Sequence, residues 1–312
     1  MHRHPTIAIG IFFQEPGAYA YPLSKPKYLR HFLQLDAAIK ACGASVRIVR
    51  HQSSYFGQGK FSQSWEFQDG EVIETGPTQV DVLFDKGLFA TDGSIPVLNC
   101  QAINDICTNK YRTFELFRAY CPETQLVRND TEFNAALNQL PSEWKVVKPI
   151  DGLEARNVVV GPNEVLQQQP RTYPLLVQAF IDSRAGIPGI VEGVHDFRVA
   201  LLNGKIVHSI IRTPPPGKFI ASVSQGATLQ VLEDLEAIPA AAIALIAAVD
   251  RQLARYGQRF YGIDLAFADG EPKIIELNSR VSIWDNDRHP VFAETKRWLA
   301  ETLVNMAAAN PV

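Results

Sequence analysis

Apolar and polar positions along the first ~105 residues switch between two periods, as alternating strands and helices require. Thr6–Phe12 is an apolar, β-branched run that predicts a strand. Tyr28–Ala41 carries Leu29, Phe32, Leu35 and Ile39 at helical spacing, and Gly43 stands where that helix should stop. Ser45–Val49 and Val80–Phe84 read as further short strands. Strand, helix, strand in this order predicts a parallel sheet with crossover helices. Between them, Gln52–Gly76 is polar, aromatic and glycine-containing, which predicts a long loop, with a hairpin as the alternative.

From Asp105 the pattern changes. Helices are predicted over Asn109–Tyr120, Thr131–Leu140 (with Thr131 as N-cap), Ile238–Tyr256 and Phe292–Ala308. Trp144–Lys148 and Asn157–Val160 read as a hairpin, and Leu175–Ile181 as an apolar strand. Phe197–Leu202 and Lys205–Ile211 flank Asn203-Gly204, and Gly262–Phe267 and Pro272–Leu277 flank Asp269-Gly270. Both dipeptides are strong hairpin signals. The second half is therefore α+β with antiparallel strands, unlike the α/β first part. The divisions expected are 1–105, 106–180 and 181–312.

Composition narrows the function classes. The 312 residues carry 30 basic and 33 acidic side chains, a net charge of −3, which argues against nucleic acid as the main partner. At 46% hydrophobic the chain is an ordinary globular one and needs no disulfides. The four cysteines, at 42, 100, 107 and 121, form no C-x-x-C pair, so reduced thiols in a cytoplasmic protein are expected. The apolar run Ile7–Phe13 is too short for a signal peptide, and Ile238–Val249 is too short to span a bilayer, so no membrane partner is expected. A homo-oligomer stays open.

The 262–278 hairpin carries the most informative chemistry. Ile263, Leu265 and Phe267 share one face, as Ile275 and Leu277 share one in the second strand, leaving Asp264, Glu276 and Asn278 on the others. A two-residue loop in ideal register puts Glu276 away from Asp264; an odd or bulged loop brings them together, and only then do the apolar faces coincide. A bulged or odd loop is thus predicted. Two carboxylates and an amide oxygen would then form a hard-oxygen cluster suited to Mg²⁺. The bland alternative is a solvated strand face. Neither Asp264 nor Glu276 is expected to be needed for folding.

Lys148 ends an apolar strand and either snorkels to the surface or faces a phosphate. Lys110 starts its helix, a slightly unfavourable place for a cation. Arg198 and Arg212 flank the Asn203-Gly204 hairpin, with Asp196 just before. In ideal register Arg212 opposes residue 195 and faces away from Arg198. A bulge, a twist, or an early strand end at Pro214-Pro215-Pro216 is required for both to serve one site.

These residues, in the order Asn109-Lys110-Tyr111, Val147-Lys148-Pro149, Val177–Ile181, Asp196-Phe197-Arg198, Arg212, Asp264 and Glu276-Leu277-Asn278, resemble the ATP-grasp superfamily over roughly 105–285. The nearest likeness is to the glutathione synthetase and ribosomal S6 glutamate ligase branch. The resemblance implies a small parallel-sheet pre-ATP-grasp domain followed by a two-lobed ATP-grasp fold with antiparallel sheets. It implies ATP and Mg²⁺, two ions, with Mn²⁺ as an alternative. Lys110 and Lys148 would hold phosphates; Gln178, Ala179, Phe180 and Ile181 would form the hinge, with backbone groups of Ala179 and Phe180 reading adenine and Asp182 near the ribose. Asp264, Glu276 and Asn278 would hold the metals, and Arg198 and Arg212 would stabilise the transferring phosphoryl group. The activity implied is joining a carboxylate to an amine, on an amino acid or peptide, through an acyl phosphate; a kinase or a weakened nucleotide-binding scaffold are the alternatives.

Four departures from the family pattern stand out. The loop after Lys148, residues 151–157, has one glycine where the family is glycine-rich. Ala179 stands where an acidic residue is common. Residues 217–222 lack an arginine and an asparagine the family often has. Ser279-Arg280 replaces a small, proline-containing turn, which would put Arg280 in the acceptor pocket. Trp284 and His289 follow as candidates to line that pocket or to serve as ordinary core and turn residues. The loops Gln14–Lys27 and Gln52–Gly76 are expected to shape it.

Overall fold

The computed structural model describes residues 7–152 and 155–310. Thr6 of the first predicted strand, and Leu153 and Glu154 of the 151–157 loop, lie outside the described residues. The chain opens with β1 (Ala8–Phe13), α1 (Pro26–Ala41), β2 (Ser45–Arg50), β3 (Lys60–Gln68), β4 (Glu71–Gln79), β5 (Val82–Asp85) and β6 (Val97–Leu98). They form one sheet ordered β4-β3-β2-β1-β5-β6, parallel from β2 to β6. Within the predicted loop Gln52–Gly76 the hairpin alternative holds: most of the stretch is the β3–β4 hairpin, laid antiparallel on β2. Its turn is Asp69-Gly70, both at positive φ (52° and 85°), the same signal read elsewhere in the chain. Two register shifts break the alternation of Phe61, Trp65 and Phe67, and that hid the strands.

Next come α2 (Gln101–Thr108), α3 (Lys110–Leu116), β7 (Thr124–Val127), α4 (Asp130–Gln139), β8 (Lys145–Pro149), β9 (Val159–Gly161), α5 (Asn163–Gln167) and β10 (Leu175–Ala179). The strands make a four-stranded antiparallel sheet, β7-β10-β8-β9. The N-cap of α4 is Asn129, whose side chain accepts from the Glu132 N–H at 2.9 Å, and not Thr131. The last part is β11 (Asp196–Leu202), β12 (Lys205–Thr213), β13 (Thr228–Val231), α6 (Ala240–Leu253), β14 (Phe260–Ala268), β15 (Glu271–Asn278) and α7 (Pro290–Ala308). Its sheet is antiparallel, ordered β13-β12-β11-β14-β15.

Core packing joins the first and last sheets. Ile9, Ile11, Leu35 and Ile39 share one cluster with Leu299 and Leu303 of α7 and with Ala200, Leu202 and Phe260 of the last sheet. The other face of that sheet, with Val199, Tyr261, Ile263 and Leu265, packs on Leu245 and Val249 of α6. The central lobe has a core of its own, including Phe133, Leu137, Val147 and Val177. Apolar burial therefore welds two sheets into one body and leaves the central lobe self-contained.

Two polar devices lock the rest. Buried Arg50 donates to the carbonyls of Glu15, Ala18, Ala20 and Tyr21, folding the Gln14–Lys27 loop over the strand ends. Asn99, fully buried at φ 65°, donates to the carbonyls of Phe260 (2.7 Å) and Ser279 (2.8 Å) and accepts from the Phe260 N–H (2.7 Å). It ties the end of β6 to β14 and to the turn after β15. Among the described residues no helix is long and apolar enough to cross a membrane. The four cysteines are free, and burial pushes the Cys107 and Cys121 thiols up, so neither is a thiolate.

Asn99→Ala removes three buried hydrogen bonds and is expected to cost about 3 kcal/mol in urea unfolding; a loss under about 1 kcal/mol would refute the clamp. Burial, reinforced by Lys296, pushes His31 down to about 4 and His208 to about 3. Both histidines are neutral when folded and gain protons on unfolding, so stability should fall as pH drops below about 6.5. Thermal midpoints from pH 7 to 4 should flatten in the His31→Leu/His208→Leu double variant.

Candidate active site

Two hairpins build the site, each by the same means. In β14–β15 the turn is an ordinary two-residue one, Asp269 (φ 51°) and Gly270 (φ 80°), with Ala268 opposite Glu271. The predicted odd loop is absent. The extra residue lies inside β15: Leu265 opposes Ile274, Asp264 opposes Glu276, and Ile275 is the bulge. Ile274 and Leu277, not Ile275 and Leu277, therefore share the buried face. Asp264, Glu276 and Asn278 are left together on the opposite one. In β11–β12, Asn203 (φ 50°) and Gly204 (φ 85°) also make a two-residue turn, and Val207 is the bulge. Asp196 then opposes Arg212, which shares a face with Arg198. The strand runs on through Thr213, so the bulge, not an early end at the prolines, brings the arginines together.

Asp264 is 1% exposed and lies at the centre. Arg198 grips it bidentately, Nε to Oδ1 at 2.5 Å and Nη2 to Oδ2, and Arg212 Nη2 reaches Oδ2 at 2.7 Å. Arg212 Nη2 also pairs with Asp196 at 2.6 Å. Burial disfavours the Asp264 carboxylate, yet the two guanidiniums overcome it and hold its pKa down near 2. Asp196 goes the other way, up to about 7, through burial and the nearby Asp264 charge. Asp196 was visible in the sequence only as a neighbour of Arg198; its role as second counter-charge to Arg212 depends on the bulge.

The lysines converge on the same face. Lys148 is buried, donating to Gln178 Oε1 at 2.8 Å and to the Ile275 carbonyl at 3.2 Å, the group of the bulge residue. Burial depresses it to about 8. Gln178 in turn donates to Thr124 Oγ1 at 2.7 Å, a partner the sequence did not reveal. Lys110, at the start of α3, reaches the Gly152 carbonyl at 2.9 Å and Glu276 Oε2 at 3.7 Å. Asn278 Nδ2 donates to Glu276 Oε1 at 3.0 Å. Six of the predicted residues thus meet: Lys110, Lys148, Arg198, Arg212, Asp264 and Glu276, with Asn278 beside them.

The hinge residues are placed differently. The Ala179 N–H donates to Glu123 at 2.8 Å and the Phe180 N–H to Trp144 at 3.2 Å. Both N–H groups are therefore already paired, and the backbone groups expected to read adenine are left to the other atoms of these residues. The Phe180 ring meets Trp144 and Phe219 instead. Asp182 is paired with Arg184, at 2.8 and 2.5 Å. In the loop after β8, Ala155 (φ 54°) and Asn157 (φ 58°) adopt the left-handed backbone that glycine would supply. His289 caps α7 and lies 3.8 Å from Glu233, and Trp284 packs near His31 and Phe292.

The donor set fits a hard divalent cation: two carboxylates and an amide. Asp264 Oδ1 accepts a single hydrogen bond and keeps acceptor capacity. Among the described residues the contacts of Glu276 to cations are long, at 3.7 and 3.9 Å. Beside Glu276 and Asn278 lies a gap of about 10 Å³, edged also by Lys110, Gly152 and Arg280. That suits one water. A larger cavity, about 580 Å³, opens at the β13 edge beside Glu233, Arg288 and His289, away from this cluster.

Two antiparallel sheets thus close on a cluster of cations and carboxylates. The model of the ATP-grasp domain matches residues 107–282, and the chain belongs to that family. A curated relative from Shewanella halifaxensis (strain HAW-EB4), named probable alpha-L-glutamate ligase, is 29% identical over 145 residues, 43% of this chain. The match covers only 27% of that relative's length. The fold is similar to D-alanyl-alanine synthetase A from Vibrio cholerae O1 biovar eltor str. N16961, with TM-score 0.65, 12% identity and 99% of both chains covered. It is also similar to the ATP-grasp ligase PsnB complexed with minimal precursor, Mg and ADP: TM-score 0.62, 11% identity, 98% of this chain and 100% of that one.

Asp264 is placed to contribute to stability as well, which the sequence reading did not expect. Asp264→Ala leaves two buried guanidiniums short of their counter-charge and should cost about 3–5 kcal/mol. Glu276→Ala, part-exposed and loosely paired, should cost under about 1 kcal/mol. Urea titration of both variants checks the contrast, and equal losses would refute it.

Proposed function

We propose that the chain is an ATP-dependent carboxylate–amine ligase working through an acyl phosphate. One observation carries the reading: Asp264 and Glu276 are directly opposed on one sheet face, ringed by Arg198, Arg212, Lys110 and Lys148. Such a ring suits a polyphosphate together with its divalent ions. In this reading Asp264, Glu276 and Asn278 hold Mg²⁺, which supplies charge neutralisation between the phosphates. Lys148 and Lys110 hold phosphate oxygens. The base lies against Gln178–Asp182, contacting Ala179 and Phe180 through groups other than their N–H.

The chemistry then needs positioning more than bond-making by the protein. An oxygen of the acid's carboxylate attacks the γ-phosphorus, the bond to the β–γ bridging oxygen breaks, and ADP leaves. The amine lone pair then attacks the acyl carbon, the acyl C–O bond breaks, inorganic phosphate leaves, and the nitrogen gives up a proton. Arg198 and Arg212, fixed by Asp264 and Asp196, supply positive charge beside the transferring group. The names of the relative and of the structural neighbours support an amino acid or peptide as substrate.

ADP release with Mg²⁺, measured over pools of acids and amines, tests the reading. Release that needs both an acid and an amine is expected; release with an acid alone marks a phosphotransferase, and no nucleotide binding by calorimetry refutes both. Lys148→Met should lower turnover about 100-fold or more. Replacing a buried ammonium by an apolar chain should leave the thermal midpoint unchanged or higher.

A further inference from the structure

The cavity of about 580 Å³ lies along the free edge of the last sheet, apart from the ion cluster. β13 pairs with β12 alone. The Leu232 N–H donates to the Ser209 carbonyl at 3.0 Å, and the same register pairs Gln230 with Ile211 and Thr228 with Thr213. Those residues of β13 turn their backbone groups toward β12, so Leu229 and Val231 turn theirs outward. Among the described residues no backbone group pairs with them there. Edge strands are normally blunted by charge, proline or a cover. β4, at the edge of the first sheet, carries Glu71, Glu74 and Pro77. β13 is Thr-Leu-Gln-Val, with neither a charge nor a proline.

The cavity follows this edge from Leu229 to Asp234 and reaches round both of its faces. Leu229 and Val231 lie opposite Arg212 and Ile210, so their side chains share the face that carries the ion cluster. α7 packs on that face, where His208 of β12 meets Thr295 Oγ1 at 3.2 Å. Arg288 and His289, just before α7, wall the cavity on this side. Ile190, packed with Leu232 on the core beneath the opposite face, walls it on the other. An added strand would send alternate side chains to these two walls. The walls differ in charge. Arg288 is exposed and rests against the Trp284 ring at 5.0 Å, and among the described residues its side chain has no hydrogen bond or ion pair. The acids of the rim are engaged: Glu233 lies 3.8 Å from His289 Nε2, and Asp234 accepts from the Glu236 N–H at 2.9 Å.

We propose that the free edge of β13 binds an extended acidic peptide as a sixth strand of the last sheet. The outward N–H and C=O groups of Leu229 and Val231 pair with its backbone, an acidic side chain faces Arg288, and the next side chain faces Ile190. The cavity has the volume of sites that enclose a small ligand, ~300–1,000 Å³. Strand spacing puts the peptide roughly 10 Å from β12 and roughly 19 Å from β14, which carries Asp264. About six extended residues span the longer distance. The edge would therefore hold the body of a peptide substrate while its end reaches the ion cluster. That consequence rests on the ligase reading; the binding does not.

The probe is a fluorescein-labelled, amidated pentapeptide, Glu-Val-Glu-Val-Glu, followed by fluorescence polarisation with the whole chain and no nucleotide. Two further peptides carry N-methyl groups on one or the other alternate set of amides, and a fourth has lysine in place of glutamate. The acidic peptide should bind about tenfold tighter than the lysine peptide. Arg288→Gln should abolish that preference. One methylated peptide should bind like the parent and the other about tenfold more weakly, because an added strand uses only one of its two edges. Val231→Pro removes an outward N–H and no bond to β12, so it should weaken the acidic peptide about tenfold while calorimetric affinity for a non-hydrolysable ATP analogue stays unchanged. The methylated peptides report on the wild type, which covers the case in which Val231→Pro fails to fold. No saturable binding, equal effects of the two methylation sets, or a lysine peptide that binds as well as the acidic one overturns the proposal. A dimer in sedimentation that Val231→Pro dissociates would put a second copy of the chain on this edge, and overturns it too. Failure of the ATP analogue to bind would sink the ligase reading alone, because the peptide titration contains no nucleotide.

Discussion

A carboxylate at 1% exposure has to be neutralised or protonated, and Asp264 is neutralised. Its two oxygens take three hydrogen bonds from Arg198 and Arg212, and Arg212 is balanced in turn by Asp196. The four side chains come from three adjacent strands, β12, β11 and β14, so the ion cluster fixes their relative height as firmly as the ladder does. The same cluster sets the local field. Asp264 stays ionised because the arginines are there, and Asp196 is pushed toward the neutral form because Asp264 already carries the charge.

Two single-residue bulges complete the site around that cluster. Each hairpin has an unremarkable two-residue turn, and each inserts one residue in its second strand, Val207 or Ile275. Without the first, Arg212 would face the apolar side against α6; without the second, Glu276 and Asn278 would. The bulge at Ile275 has a second effect. Lys148 from the facing lobe takes the carbonyl of that residue at 3.2 Å. The irregularity that aims Glu276 thus also offers a polar anchor between the lobes.

Much of this was legible in the sequence, for physical reasons that can be named. Asn203-Gly204 and Asp269-Gly270 dictate their turns because both central residues need positive φ, and the apolar alternation beside them dictates which faces are buried. The need for Asp264 and Glu276 to share a face followed from the same alternation. Where the extra residue sits did not follow, since a bulge at the turn and one inside the strand satisfy the same pattern. The β3–β4 hairpin was hidden because register shifts scrambled its alternation, though Asp69-Gly70 marked its turn. Arg50 and Asn99 were not legible at all. Each acts on backbone groups far away in the chain, and nothing in the local pattern points there.

The distribution of cores explains how a site this crowded can work. The first and last sheets share one apolar cluster and form one body, to which Asp264 and Glu276 belong. The central lobe has a separate core and meets that body near the site through Lys148 to Ile275 and through Lys110, on a helix packed on the last sheet's core, to Gly152, besides the aromatic contact of Phe180 with Phe219. The polar contacts among these are individually weak once water can replace them, whereas the apolar clusters on either side are not. The gap of about 10 Å³ beside Glu276 and Asn278 lies outside both apolar cores. In the proposed reading, the buried cost of Lys148, visible in its depressed pKa, would be relieved by the charge of a bound polyphosphate.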